Sequence, residues 1–168
     1  MNYTYPICDY ITVFPVLGDI IGSEDGSTSV ININPAQYSS NAKSDYCLMS
    51  LADASLDHSN EEEPIALVLR NPTPQNNQAE SPVLGHFSIT ATSGRPPEAA
   101  DIVYHHSFVP NNVKYLVPAR PSQISFTGRT SRTQSRIGFT QGYLTFKFEY
   151  LSKEQVNALN SQSNYTTF

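Results

Sequence analysis

Two adjacent histidines, three consecutive glutamates and three arginines in an acid-free stretch are the residues whose types and spacing could do chemistry. His105-His106 lies in "DIVYHHSFV" (101–109). Neighbours in a strand point to opposite faces, so at most one of the pair can meet a pocket alongside Tyr104 and Ser107. A metal site would set two histidines on one face, at i and i+2, and His58 and His86 are far off in sequence. The spacing therefore predicts one packed and one exposed imidazole. Glu61, Glu62 and Glu63 sit in "DHSNEEEP" (57–64). With Asp57 and Asn60 they offer oxygens to a hard cation such as calcium, but they match no EF-hand spacing. The reading is a solvated loop whose charges discourage wrong pairing of the apolar strand after Pro64. Arg129, Arg132 and Arg136 are spread along "TGRTSRTQSRIGFTQG" (127–142). A nucleic-acid contact would want stacking rings and a basic surround, and Phe139 is the only ring there. Gly128, Gly138 and Gly142 could form a small-anion nest, but no helix start follows. Arginine forks bind carboxylates in a bidentate manner, so the loop is complementary to the acids at 61–63, on another copy or another partner.

No nucleophile elbow, zinc-protease motif or phosphate loop occurs, and no Cys-His arrangement can be picked out, so no enzyme activity, cofactor or metal is expected. Cys8 and Cys47 lack metal-ligand spacing; they could pair, but read as two buried free thiols.

The elements that must position these residues are short. Period-two or continuous apolar runs recur at 9–16, 27–34, 44–51, 64–71, 86–92, 101–109, 113–118, 123–129 and 143–151. In the last, "YLTFKFEYL", Leu144, Phe146, Phe148 and Tyr150 share one face and Thr145, Lys147 and Glu149 the other. Asp25-Gly26 is a hairpin-turn signal. The connections 52–63, 72–85 and 93–100 read as polar loops, and the twelve prolines suit loop ends and strand edges. Helical readings exist only at 50–59 and at 152–159, the second with a capping box of Ser152 and Gln155. Eight or nine strands without repeats predict an all-β antiparallel sandwich over 1–151, with a short C-terminal helical turn and extended tail over 152–168. Tyr165 and Phe168 in that tail could anchor in a neighbour's groove.

The 168 residues suit a single domain. Only 15% of residues are charged, against roughly 25% in an average domain. Ser, Thr, Asn and Gln take their place, and such a surface is cheaper to desolvate against protein. Residues 1–110 hold 13 acids and 3 bases, net −10, while residues 111–168 hold 2 acids and 7 bases, net +5. That split suggests a two-faced molecule, and an acidic chain argues against direct nucleic-acid binding. No stretch reaches the roughly 18 apolar residues of a membrane helix. "MNYTYPICDYITVFP" lacks a signal-peptide pattern, so an intracellular location is expected. The sequons at Asn2 and Asn164 read as chance.

The short strands, long polar loops, few charges and closing "GYLTFKFEYL" strand resemble a single jelly roll of the icosahedral-virus capsid kind. The likeness is to minor-capsid or penton-like vertex subunits of double-stranded DNA viruses. It implies a virion location and a structural subunit that assembles with itself and with other shell proteins. Jelly rolls also serve in lectins and cupins. The histidine and glutamate set of a cupin is not present. "MNYTYPICDY" departs from the basic arm of genome-lining capsid proteins, which leaves an outer-shell or vertex role. The interface expected on this basis comprises Arg129, Arg132, Arg136, Glu61, Glu62, Glu63, Tyr165 and Phe168. The alternative is a lectin-like or receptor-binding sandwich gripping a ligand with loops 71–85 and 93–100, where some of the ten tyrosines stack on sugars.

Overall fold

The computed structural model describes residues 7–14, 20–22, 29–39, 44–59, 63–70, 80–93, 103–111, 113–130, 132–133, 136–137 and 141–161. The chain is all-β, with strands β1 Ile7–Val13, β2 Ile20–Gly22, β3 Ser29–Asn32, β4 Tyr46–Ser59, β5 Ile65–Arg70 and β6 Glu80–Ser93. These are followed by β7 Val103–Val109, β8 Tyr115–Pro118, β9 Gln123–Thr130, β10 Arg136–Ile137 and β11 Gln141–Tyr150, then helix α1 Lys153–Ser161.

Pairing is antiparallel and nested. β1 pairs β11, β3 pairs β9, β4 pairs β8 and β5 pairs β6. The chain is thus one long hairpin with its closed end at β5–β6. Rolling it up sets β11 beside β4 and β9 beside β5, the jelly-roll arrangement. Two four-stranded groups result, β1-β11-β4-β8 and β3-β9-β5-β6. β7 joins them by pairing both the far half of β4 and β6, so the path is continuous and nearly closes into a barrel.

The closing strand follows its alternation. Leu144, Phe146, Phe148 and Tyr150 are wholly buried, in one core with Ile11, Val13, Leu56, Leu67, Phe87 and Phe126. Truncating such a side chain to alanine costs about 2–5 kcal/mol. Gly85 lies under the Phe108 ring, where a Cβ would sit 2.8 Å from Phe108 Cε2.

Residues 50–59 are not a helix, and 52–59 are not a loop; they continue β4. In the β4–β11 register Phe146 faces Leu51 and Thr145 faces Asp53, which leaves Ala52 as an extra residue. This bulge places Leu51 and then Ala54 in the core, a spacing of three that imitates a helix. Asp53 Oδ1 accepts the Ala54 N–H at 2.9 Å and supports the bulge locally. Similarly, 80–85 belong to β6, with Leu84 extra where Leu67 faces Gly85 and Val68 faces Val83. The proposed loops at 71–79 and 94–100 and the Asp25-Gly26 turn lie outside the described residues, although β2 and β3 pair antiparallel across the latter. The C-terminal helix forms as expected. Ser152 N–H donates to Gln155 Oε1 at 2.8 Å, and Gln155 N–H donates to Ser152 Oγ at 3.2 Å.

One seam remains, between β1 and the segment after β3. Asp9 points inward from β1 and accepts the Tyr150 hydroxyl at 2.5 Å and the Ser39 N–H at 2.8 Å. Tyr38 meets Phe148 edge to face at 5.4 Å and donates its hydroxyl to Pro121 O. Arg120, with φ of 56°, holds its guanidinium 5.5 Å from the centre of the Tyr150 ring.

Gly142 in β11 has φ of 110°, and a Cβ there would lie 2.0 Å from Ser55 O, a backbone atom that cannot swing away. Gly142→Ala is expected to lower stability by about 3 kcal/mol or more in urea unfolding, because strain and overlap add.

Candidate functional site

The outward residues of β1 and β11 interlock in register. Tyr10 faces Lys147 and Thr12 faces Thr145. The Lys147 ammonium lies 5.9 Å from the Tyr10 ring centre, and the two threonine hydroxyls are 2.8 Å apart. Phe14, just past β1, meets the Tyr143 ring at 6.4 Å, and Tyr143 donates its hydroxyl to Asp53 at 2.9 Å. That hydrogen bond, helped by burial, raises the Tyr143 phenol above its ordinary value. Tyr10 is 63% exposed and Phe14 is 37% exposed; among the described residues the only other exposed large apolar side chain is Val109.

The face continues over β4, β7 and β6 with hydroxyls and one histidine–aspartate contact. Ser55 faces Ser107, which faces Ser88. Thr90 is the extra residue of a β6 bulge, with its Oγ1 3.0 Å from Ser107 Oγ. His105 Nδ1 lies 2.6 Å from Asp57 Oδ1, directly across the β4–β7 pair. The histidine expectation holds in its geometry: His106 is wholly buried, while the His105 side chain is 38% exposed. His86 stands opposite Val109, not near His105. Among the described residues no group of three or more His, Cys, Asp or Glu could hold a metal ion.

Of the residues expected at an interface, the fold brings Glu63 and Arg132 together within one chain. Glu63 Oε2 accepts the N–H of Arg132 at 2.8 Å and of Thr133 at 3.0 Å, and its Oε1 lies 3.7 Å from Arg132 Nε. The carboxylate expected from another chain is therefore supplied, for Arg132, by the chain itself. The reason is topological: β5 pairs β9, so the residue before β5 meets the turn after β9. Glu63 is buried rather than a solvated loop acid. Arg129 is half-buried and stands opposite Arg136 across β9–β10. Glu61, Glu62, Tyr165 and Phe168 lie outside the described residues.

Among the described residues the two-faced charge expectation does not survive nesting. Pairing β1 with β11, β3 with β9 and β4 with β8 lays the acidic part of the sequence against the basic part. Lys114 and Lys147 both reach Glu149, at 2.7 and 3.3 Å. The cysteines are free, Cys47 buried and Cys8 half-buried, and burial pushes the Cys47 thiol up to about 12. The aromatic outer face escaped the sequence reading because Tyr10 and Phe14 lay in a run treated as one apolar strand, 9–16. The alternation of Tyr10 and Thr12 against Ile11 and Val13 was the available signal.

The arrangement is a shallow, pre-ordered contact surface of rings and hydroxyls, low in net charge. No described helix is long and apolar enough to cross a membrane. No family model, curated protein or solved structure matches the chain.

The Thr133 N–H, with the Arg132 N–H and the Thr130 hydroxyl, holds the Glu63 carboxyl below its ordinary value of 4.5, against the opposing effect of burial. A carboxyl depressed on folding contributes stability above its unfolded value and loses it as pH falls through the folded one. Glu63→Gln is therefore expected to lower the urea midpoint at neutral pH, and the gap to the parent protein should narrow as pH falls below the ordinary carboxyl value.

Proposed function

We propose that this chain is a non-enzymatic structural protein, a single jelly-roll shell subunit of the capsid kind, which works by assembling with copies of itself or with other shell proteins. The observation that carries the reading is the two rings Tyr10, on β1, and Phe14, just past its end, on a strand with no described partner on its other edge. Each ring already rests on a neighbour, Lys147 or Tyr143, so little conformational entropy is lost when a partner covers it. Aromatic anchors of this type dominate interface energetics, and a surface of hydroxyls around them is inexpensive to dehydrate. The nested hairpin and the low charge content agree with a shell role. A vertex or minor-capsid position, and a virion location, follow from the family resemblance. Because the charges are intermixed by the fold, association rests on the rings and hydroxyls more than on opposite net charge.

A lectin-like module is the second reading. It is favoured by the same face, where aromatic rings stand beside Asp53, Thr12 and Thr145, the groups that stack on and hydrogen-bond a sugar.

Light scattering after size-exclusion at low and high salt tests the first reading. Wild-type protein is expected to associate with rising concentration, and Tyr10→Ser with Phe14→Ser to weaken association at least about tenfold, the change that about 1.4 kcal/mol produces. A species that stays monomeric at every concentration and joins no larger particle contradicts it. A glycan array that captures the wild type but not the double variant would favour the lectin-like module.

A further inference from the structure

The side of β4 facing β7 and β8 is incompletely paired. β8 covers Tyr46–Met49 and β7 covers Ser55–Ser59. Between them, residues 50–54 have no strand partner on that side among the described residues. β7 ends at Val109 and β8 begins at Tyr115. A cavity of about 270 Å³ opens at this gap, beside the bulge at Ala52.

Its walls are of two kinds. Phe108, Pro110, Val113 and Leu51 give an apolar side. Ser50, Asn111, Lys114 and Lys147 give a polar side. Asn111 Oδ1 accepts the Val113 N–H at 3.0 Å, so the group it has left to offer is its amide NH2. Lys114 and Lys147 are drawn to one point by Glu149, which is 8% exposed. Each ammonium carries three protons and approaches a single Glu149 oxygen, so both keep donors to spare. Two ammoniums against one carboxylate leave a single positive charge beside an apolar wall.

We infer that this cavity is a binding site for a small organic carboxylate, its apolar body against Phe108 and Val113 and its carboxylate against Lys114 and Lys147. One added carboxylate brings the group to two positive and two negative charges. A dianion would overshoot, and a neutral ligand would leave the excess charge facing an apolar body.

The test is a titration of the 15N-labelled protein with benzoate, with benzyl alcohol and inorganic phosphate as comparisons. Benzoate is expected to shift the Ser50, Ala52 and Asn111 amides saturably. Benzyl alcohol should bind at least about tenfold more weakly, and phosphate should leave these amides in place. Lys114→Met should weaken benzoate at least about tenfold, and Glu149→Gln, which removes the competing carboxylate, should strengthen it. Lys147→Met gives a second loss of binding where its spectrum remains that of the folded protein. Equal binding of benzoate and benzyl alcohol, unchanged affinity in Lys114→Met, or absence of any saturable shift overturns the inference.

Discussion

One carboxylate closes the roll. Asp9 points into the barrel from the first strand and receives a hydroxyl from the last strand and an N–H from the segment after β3. An inward-facing acid without partners would be costly to bury, and two donors aimed at it turn that cost into a fastening between distant parts of the chain. Tyr150 is wholly buried, and burial, with the neighbouring Asp9 second, pushes its phenol far above the ordinary value. It therefore stays protonated and keeps donating at neutral pH. Arg120 over the Tyr150 ring, and Tyr38 against Phe148, pack the same seam from the other side. The β1–β11 register that presents Tyr10 and Thr12 outward depends on this fastening, because β1 has no described strand on its free edge. An inward charge on an edge strand also discourages indiscriminate pairing, which confines productive association to the outward rings.

The parts of this fold that the sequence disclosed are those with a clean period of two. Leu144 to Tyr150 and Phe87 behave as their alternation requires, and the Ser152–Gln155 box starts a helix where its spacing says one starts. The second half of β4 was hidden because a bulge shifts the phase between Leu51 and Ala54, and a single extra residue is enough to make a strand look helical. The Asp9–Tyr150 contact joins residues 141 positions apart, and nothing local marks either partner. The pairing of Glu63 with the turn at Arg132 is of the same type: both charges were noticed, but only the β5–β9 register shows that they belong to one chain. The sequence-level charge split misled for the same reason, since nested pairing converts separation along the chain into mixture in space.

These observations fit a subunit whose interior is fixed by hydrophobic strands and whose surface is available for contact. Electrostatics does internal work here, in Glu63 with the Arg132 turn, Asp57 with His105, and Glu149 with two lysines. What is left outward on β1 and β11 is aromatic and hydroxylic, with Lys147 beside Tyr10. It is on this surface that the proposed shell role rests.

The claim that Asp9 fastens the seam is tested most directly by a double-mutant cycle with Asp9→Ala and Tyr150→Phe, read by urea unfolding. Each single change should be destabilising, by about 1–3 kcal/mol, because each breaks a hydrogen bond at a buried site. The pair should be less destabilising than the two effects added, with a coupling of about 1–2 kcal/mol, since the second change removes a group already left without its partner. Strict additivity, or an Asp9→Ala variant as stable as the parent, would contradict the account.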